Sequence, residues 1–237
     1  MSNNFFKFKQ FTVFQDQCAM KVGTDGVLLG AWCKVSRCFN VLDIGTGTGL
    51  IALMIAQRNA KVIIDAIDIE ENCIKQAQQN IAQSPFVHRI DAQQKTFQYL
   101  VQQTDKKYDL IVSNPPYFQN ALKSPSISRS YARHADTLSF HEIISEGVSL
   151  LTQNGSIALV LPYEFKQVVL MHAAAVNLFA HRITNVSPVV HKPPKRLLVE
   201  FAKCEVECIE NNLTIEHSRH QYTEDFKVLT KDFYLDK

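Results

Sequence analysis

One stretch of the sequence decides the fold, Val41-Leu42-Asp43-Ile44-Gly45-Thr46-Gly47-Thr48-Gly49-Leu50-Ile51-Ala52. An apolar run ends in a turn with three glycines, and a second apolar run of helical length follows at once. Glycine lets the backbone approach a ligand closely because it carries no Cβ. The stretch therefore predicts a buried strand, a ligand-binding turn and a helix, as in a doubly wound α/β sheet.

The rest of the chain repeats this alternation of strand and helix, which is typical of a mostly parallel sheet with helices on both faces. We predict strands over Asn40–Gly45, Lys61–Asp68, Val87–Ala92, Tyr108–Ser113, Ser156–Leu161, Arg182–Ser187 and Arg196–Lys203. We predict helices over Leu50–Arg58, Glu70–Gln83, Phe97–Gln103, Phe140–Leu151 and Glu164–Leu178. Only the short segment Pro188–Lys195 joins the last two strands, so the last strand of this seven-stranded sheet is expected to be antiparallel.

Two further helices are expected outside this alternation. Before the first strand, Asp25–Lys34 reads as a short amphipathic helix, with a cap signal at Thr24-Asp25. Near the end of the sequence, Tyr222–Tyr234 reads as a closing helix.

Length and composition exclude several classes of protein. The 237 residues are 46% hydrophobic and 20% charged, which suits one globular α/β domain over 1–237. The start of the chain has no continuous apolar segment, and no run of 18 apolar residues occurs, so a cytoplasmic location without a membrane contact is expected. The six cysteines form no CxxC pair, and we expect no metal site.

Acidic residues at two strand ends narrow the ligand of the glycine turn. Asp43 precedes Gly45 by two residues, where a carboxylate would repel a pyrophosphate but could pair with the ammonium of a methionine moiety. Asp68 follows Gly49 by 19 residues, the spacing at which an acid can accept both ribose hydroxyls. These features favour S-adenosylmethionine as the cofactor, held by Gly45, Gly47 and Gly49. The alternative for the turn is a nucleotide site of another class, and the alternative for Asp68 is that it only caps the following helix.

The tetrapeptide Asn114-Pro115-Pro116-Tyr117 directly follows a predicted apolar strand. Two prolines end the strand and hold the backbone rigid. The Asn114 side chain and the Pro115 carbonyl could accept both hydrogens of an exocyclic amine, while Tyr117 could stack on an extruded base. We interpret these residues as catalytic for methyl transfer to an amide or amine nitrogen. A rigid turn with an exposed tyrosine is the plainer alternative.

Basic side chains accompany this loop and the segment before the last strand. No Asp or Glu occurs from Tyr117 to Ala135. Basic residues mixed with aromatic residues suit contacts with RNA phosphates, although a charge run is often only a solvated surface. The RNA-binding candidates are Lys123, Arg129 and Arg133 in the first cluster, and Lys192, Lys195 and Arg196 in the second.

With these residues in place, the chain resembles the class I methyltransferases of the N6-adenine type. It is most similar to the bacterial tRNA1(Val) (adenine-37-N6)-methyltransferase family. The motifs that carry this similarity are Phe8-Lys9-Gln10-Phe11, Cys18–Trp32, Gln83-Ser84-Pro85 and Phe233-Tyr234-Leu235. The resemblance extends over nearly the whole chain and implies a Rossmann-like core over 37–237, preceded by a cofactor-covering segment over 1–36.

The same resemblance assigns further site residues. It places Lys21, Thr24, Asp25, Gly26 and Val27 against the methionine end of the cofactor, above Asp43 and Gly45, with Asp68 at the ribose. One departure from the family pattern concerns the adenine. Where many relatives have an acid after the third strand, this chain reads Gln94-Lys95-Thr96.

The resemblance implies methyl transfer to adenine N6 in tRNA, with tRNA as the partner and no obligatory protein partner. The first alternative is a protein-glutamine N5-methyltransferase, which would be expected to carry a longer N-terminal region than the roughly 40 residues before the first strand. DNA adenine methylation and a non-catalytic nucleic-acid-binding module are weaker alternatives.

Overall fold

The computed structural model describes residues 3–18, 20–116 and 138–235. The strands in these ranges are β1 (Phe5–Lys7), β2 (Thr12–Phe14), β3 (Asn40–Ile44), β4 (Ile63–Asp68), β5 (Ile90–Gln94), β6 (Tyr108–Ser113), β7 (Leu151–Pro162), β8 (Phe179–Val189), β9 (Arg196–Ala202), β10 (Ile209–Ser218) and β11 (Gln221–Tyr222). The α-helices are α1 (Thr24–Trp32), α2 (Leu50–Arg58), α3 (Glu71–Ala82), α4 (Phe97–Gln103), α5 (Phe140–Leu150), α6 (Lys166–Ala175) and α7 (Glu224–Thr230).

The central sheet has the strand order β11-β10-β8-β9-β7-β6-β3-β4-β5. β3 pairs in parallel with β4 on one side and with β6 on the other. The chain therefore reverses its winding direction at β3, and ligands of doubly wound sheets bind at the carboxyl end of such a strand. The seven predicted strands are β3 to β9, and β9 is antiparallel to both of its neighbours, as predicted.

The predicted count of seven strands is wrong, because β10 and β11 extend the sheet to nine. β10 pairs in parallel with β8, and β11 pairs antiparallel with β10. The sequence of β10, Ile-Glu-Asn-Asn-Leu-Thr-Ile-Glu-His-Ser, shows no clear alternation of apolar and polar residues, and its first four residues are exposed. Pairing at a sheet edge stabilises this strand without the buried face that makes a strand visible in a sequence.

Smaller differences affect the ends of several elements, and one hairpin was not predicted. A 3₁₀ turn over Val87–Arg89 delays the third core strand, which begins at Ile90 rather than Val87. The closing helix is shorter than predicted and covers Glu224–Thr230, because Thr223 caps its start. A separate hairpin of β1 and β2, which was not predicted, precedes the core.

Helix α1 is buried from Gly26 to Trp32 instead of being amphipathic, because it packs closely on α2. A Cβ at Gly30 would lie only 2.7 Å from the Met54 sulfur, and one at Gly26 would lie 3.0 Å from Leu50. The cap predicted at Thr24-Asp25 is also wrong. Gly23 precedes the helix in extended conformation and no side-chain cap is formed. This packing places the first turn of α1 beside the glycine turn that starts α2.

Two buried clusters of apolar side chains cover the two faces of the sheet, which gives the predicted layers. The β1–β2 hairpin is fixed to the core by Asn80 of α3. Its amide accepts from the Phe14 N–H (2.8 Å) and donates to the Phe14 and Thr48 carbonyls (2.9 and 2.8 Å). Among the helices in the described ranges, none combines the length and apolar character that crossing a bilayer requires.

Candidate active site

A cavity of about 770 Å³ opens at the carboxyl ends of β3, β4 and β6. It brings together residues that the sequence analysis had assigned to the cofactor, to catalysis and to RNA. The predicted residues on its wall are Lys21, Thr24, Asp25, Gly26, Gly45, Gly47, Asp68, Asn114, Pro115, Lys195 and Arg196. The cavity is large enough for a nucleoside cofactor with space left for part of a second molecule.

The glycine turn has a backbone that only glycine adopts easily. Gly45, Gly47 and Gly49 have φ angles of +70°, +55° and +81°. A Cβ built on Gly45 would meet no atom within 4 Å, so this residue borders open space where a ligand can approach the backbone. Gly49 has a different position, because it precedes α2 as its N-cap and does not line the cavity.

Asp43 lies beneath this turn and is fully buried. One carboxylate oxygen accepts a hydrogen bond from the Thr46 hydroxyl at 2.7 Å. The other has no hydrogen-bond partner among the described residues. Burial raises the pKa of Asp43 to about 7, and the Thr46 hydroxyl opposes this shift only in part. Asp43 does not line the cavity itself, but Gly45 and Thr46, which follow it within three residues, do. A buried carboxyl with a free oxygen at this place is suited to pairing with a cationic ligand group.

Asp68 ends β4 and faces the cavity from the opposite side of the turn. Its two carboxylate oxygens accept from the backbone N–H groups of Gly47 (2.9 Å) and Glu70 (3.0 Å). The side chain therefore orders both the glycine turn and the start of α3. Each carboxylate oxygen can accept a second hydrogen bond, so these contacts leave capacity for ribose hydroxyls.

Asn114 and Pro115 reach the cavity from the end of β6. The Ser113 hydroxyl donates to the Ile44 carbonyl at 2.8 Å, which joins the ends of β6 and β3. Asn114 is partly exposed, and Pro115 is buried. The structure thus places the start of the tetrapeptide on the wall that the glycine turn also lines. Tyr117 and the RNA candidates Lys123, Arg129 and Arg133 lie outside the described residues.

An ion pair closes another side of the cavity. The guanidinium of Arg196 contacts the Asp25 carboxylate at 2.7 Å, which links β9 to the first turn of α1. The sequence analysis had assigned Asp25 to the cofactor and Arg196 to RNA. Lys195 lines the cavity beside this pair, whereas Lys192 is exposed outside it.

Sequence reasoning missed several cavity residues, including Cys18, Ile69, Cys73, Val186 and Ile215. Ile69 was detectable, since it directly follows Asp68 at the end of a strand. Glu70 precedes α3 as its N-cap residue, but it forms no side-chain cap and lines the cavity.

The segment Gln94-Lys95-Thr96, which replaces the acid of many relatives, does not line the cavity. Gln94 donates to the Ile69 carbonyl at 3.1 Å, and Thr96 caps α4 by accepting from the Tyr99 N–H at 3.1 Å. These residues therefore support the neighbouring wall.

The cavity fits S-adenosylmethionine on three observations. Gly45 leaves open space along the backbone, Asp43 has a buried oxygen without a partner, and Asp68 has remaining acceptor capacity. Fold and site together define an S-adenosylmethionine-dependent methyltransferase of class I. Within the described ranges, no cluster of three or more His, Cys, Asp or Glu side chains could hold a metal ion.

Comparisons with known proteins agree with this class. The methyltransferase small domain family matches residues 22–180. A tRNA1(Val) (adenine(37)-N6)-methyltransferase of Parabacteroides distasonis is 50% identical over 99% of both chains, and one of Trichodesmium erythraeum is 46% identical over 99% of both chains. The chain belongs to the tRNA1(Val) (adenine(37)-N6)-methyltransferase family. These relatives do not favour the protein-glutamine alternative.

Solved structures support the fold alone. A predicted O-methyltransferase from Agrobacterium tumefaciens superposes with a TM-score of 0.66 at 16% identity, covering 88% of this chain and 96% of that one. A ribosomal protein L11 methylase from Lactobacillus delbrueckii subsp. bulgaricus gives a TM-score of 0.54 at 18% identity, covering 76% and 77%. The Rossmann-like methyltransferase fold is confirmed.

Proposed function

We propose that this enzyme methylates the exocyclic N6 of adenine in tRNA, at adenine 37 of tRNA1(Val). The observation that carries the proposal is the position of Asn114 and Pro115 on the same cavity wall as Gly45 and Asp68. A base that enters beside Asn114 therefore meets the cofactor site in one continuous space. The names of the relatives support the choice of acceptor. A tRNA acceptor also agrees with the expected cytoplasmic location.

The chemistry required of the protein is mainly positioning. When bound, S-adenosylmethionine supplies a methyl group on a positively charged sulfur. The adenine amine is a weak nucleophile because its lone pair is delocalised into the ring. The Asn114 side-chain oxygen and the Pro115 carbonyl would accept its two hydrogens and direct the lone pair towards the methyl group. The amine proton passes to solvent after the nitrogen–carbon bond has formed.

The other predicted residues fit this proposal in supporting roles. Asp43 and Asp68 would hold the ammonium and ribose ends of the cofactor, and Lys21, Thr24, Asp25 and Gly26 would cover its methionine end. The proposal further assumes that the segment 1–36 belongs to the same domain as the core over 37–237.

Methyl transfer from labelled cofactor to tRNA lacking this modification tests the proposal. We expect the wild-type enzyme to label tRNA, and Asn114→Ala to lower the single-turnover rate by about 10²- to 10³-fold, as for the loss of one transition-state hydrogen bond. Binding of S-adenosylhomocysteine should be unchanged in this variant. The matched control is Asn154→Ala, an exposed asparagine of β7 outside the cavity.

Two results would contradict this account in different ways. If the wild-type enzyme methylates another acceptor while tRNA stays unlabelled, tRNA is not the substrate. A wild-type rate in Asn114→Ala would leave the substrate in place but remove Asn114 from catalysis.

A further inference from the structure

β10, β11 and the turn between them (Ile209–Tyr222, the edge hairpin) lie beside the cavity. Because β10 is parallel to β8, the carboxyl ends of both strands lie on the same side of the sheet, which is the side where the cavity opens. Glu216 pairs with Val189, and the Glu216 carbonyl accepts from the Val190 N–H at 3.1 Å. The turn of the edge hairpin is therefore adjacent to the segment 190–195, which joins β8 to β9.

The edge hairpin also contributes to the cavity wall itself. Ile215 lines the cavity together with Val186 and Pro188 of β8, and Asn114 lines it from β6. β10, one of the two strands that extend the sheet beyond seven, thus lines the space where the acceptor would enter. A molecule that fills this space must pass close to the turn of the edge hairpin.

Unneutralised positive charge is concentrated at this same edge. No acidic residue occurs from 165 to 199, a stretch with three lysines and two arginines. Three of these cations are neutralised: Lys166 by Glu210 at 2.6 Å, Arg182 by Glu200 at 2.9 Å and Arg196 by Asp25 at 2.7 Å. The remaining cations of the stretch lie where β8 ends and β9 begins.

Three basic side chains at this edge are exposed and form no ion pair with any described residue: Lys192, Lys195 and Arg219. Lys192 and Lys195 belong to the segment before β9, and Arg219 belongs to the turn of the edge hairpin. These three residues, together with His191 and His220, form a surface that we call the basic lip. Exposed guanidinium and ammonium groups at one rim are suited to phosphate oxygens.

The backbone at the two histidines gives an independent indication. His191 and His220 have φ angles of +67° and +66°. This left-handed conformation costs a residue other than glycine on the order of 1 kcal/mol. Such residues concentrate at functional sites, where the side chain is needed despite the backbone cost. One strained histidine lies in each of the two turns that form the basic lip.

We infer that the basic lip binds the RNA backbone at the rim of the cavity, through the phosphates that flank the target adenine. This inference rests on the proposed tRNA substrate and assigns Arg219 and His220, which no sequence motif had indicated. Phosphate contacts of this kind fix the position of the RNA without reading its sequence. They would hold the strand while one base enters the cavity.

The salt dependence of tRNA binding tests this inference. The logarithm of tRNA affinity falls by roughly 0.7 to 0.9 per phosphate contact for each tenfold rise in salt. Between about 50 and 200 mM salt, each contact therefore contributes about a threefold loss of affinity, and a variant that lacks the contact should not show this loss. The double variant Lys192→Ala/Arg219→Ala should therefore lose about tenfold of this dependence. Binding of S-adenosylhomocysteine should be unchanged, because neither residue lines the cavity.

The matched control is Arg37→Ala/Lys61→Ala. Both residues are exposed, and they lie before β3 and β4 at the opposite edge of the sheet. We expect this control to keep the wild-type salt dependence. An equal salt dependence in both double variants would overturn the role of the basic lip. Wild-type enzyme that neither binds nor methylates tRNA would instead overturn the proposed function, and the inference with it.

The variant His220→Gly separates a binding role from a structural one. Glycine adopts the same backbone without strain, so the melting temperature should stay the same or rise. If the imidazole contacts RNA, the Kd for tRNA should nevertheless rise severalfold. A lower melting temperature with unchanged tRNA affinity would overturn the binding role of His220.

Discussion

Replacing Asp43 by asparagine separates the protonation of one buried carboxyl from the rest of the cofactor site. The pKa of Asp43 is raised to about 7 by burial, so near neutral pH the free protein contains both protonation states. The raised pKa means that the carboxylate forms only as the pH passes this value. We expect the ammonium of the cofactor to favour the ionised form, and cofactor affinity should therefore rise with pH.

The size of this effect follows from the ionised fraction. With a pKa of about 7, roughly 9% of Asp43 is ionised at about pH 6 and roughly 76% at about pH 7.5, so the apparent Kd should fall about eightfold across this range. This corresponds to about 1.2 kcal/mol of binding free energy. In Asp43→Asn the affinity should be weaker and nearly independent of pH.

Calorimetric titration with S-adenosylhomocysteine at these two pH values measures both proteins directly. The ligand keeps its ammonium group, and any titration of the ligand itself affects wild type and variant equally. The difference between the two slopes therefore belongs to Asp43. Equal slopes, or a wild-type affinity that does not change with pH, would refute the coupling between this carboxyl and the cofactor.

Two further predictions concern the glycine turn and the helix that covers it. Asp68→Ala should weaken cofactor affinity by about 10- to 100-fold, because the variant loses charged hydrogen bonds to the cofactor. Calorimetry measures this affinity, and a wild-type value would leave Asp68 a purely structural role. Gly30→Leu should lower the free energy of unfolding by about 1–3 kcal/mol or more, because its Cβ would lie 2.7 Å from Met54. Urea unfolding measures this change in stability. Gly23→Ala is the control, because a Cβ at Gly23 would lie 3.8 Å from its nearest contact, the Lys21 carbonyl oxygen. Similar stability of both variants would contradict the close packing of α1 on α2.

The core of the fold was predictable because its signals are local. The strand before Gly45 is apolar from Val41 to Ile44 except for Asp43, and the turn after it needs three glycines with positive φ. Asn114 follows another apolar strand directly. In a doubly wound sheet, residues at the carboxyl ends of neighbouring parallel strands must meet, so the sequence order alone brings these groups to one edge.

The rest of the site depends on contacts that no local pattern contains. Asp25 and Arg196 are 171 residues apart, and their ion pair exists only because β9 begins beside α1. Ile215 reaches the cavity because β10 adds to β8, although the start of β10 is polar and exposed. Edge pairing and long-range ion pairs are properties of the assembled sheet, and a sequence pattern cannot reveal them.

The most direct test of the central claim is to identify the methylated product. Purified enzyme is incubated with labelled S-adenosylmethionine and, in separate reactions, with tRNA lacking the modification, a glutamine-containing protein substrate and duplex DNA, and each product is digested and analysed by mass spectrometry. We expect N6-methyladenosine at one position of one tRNA, adenine 37 of tRNA1(Val). Label in protein glutamine, in DNA, or at another atom of the tRNA would contradict it.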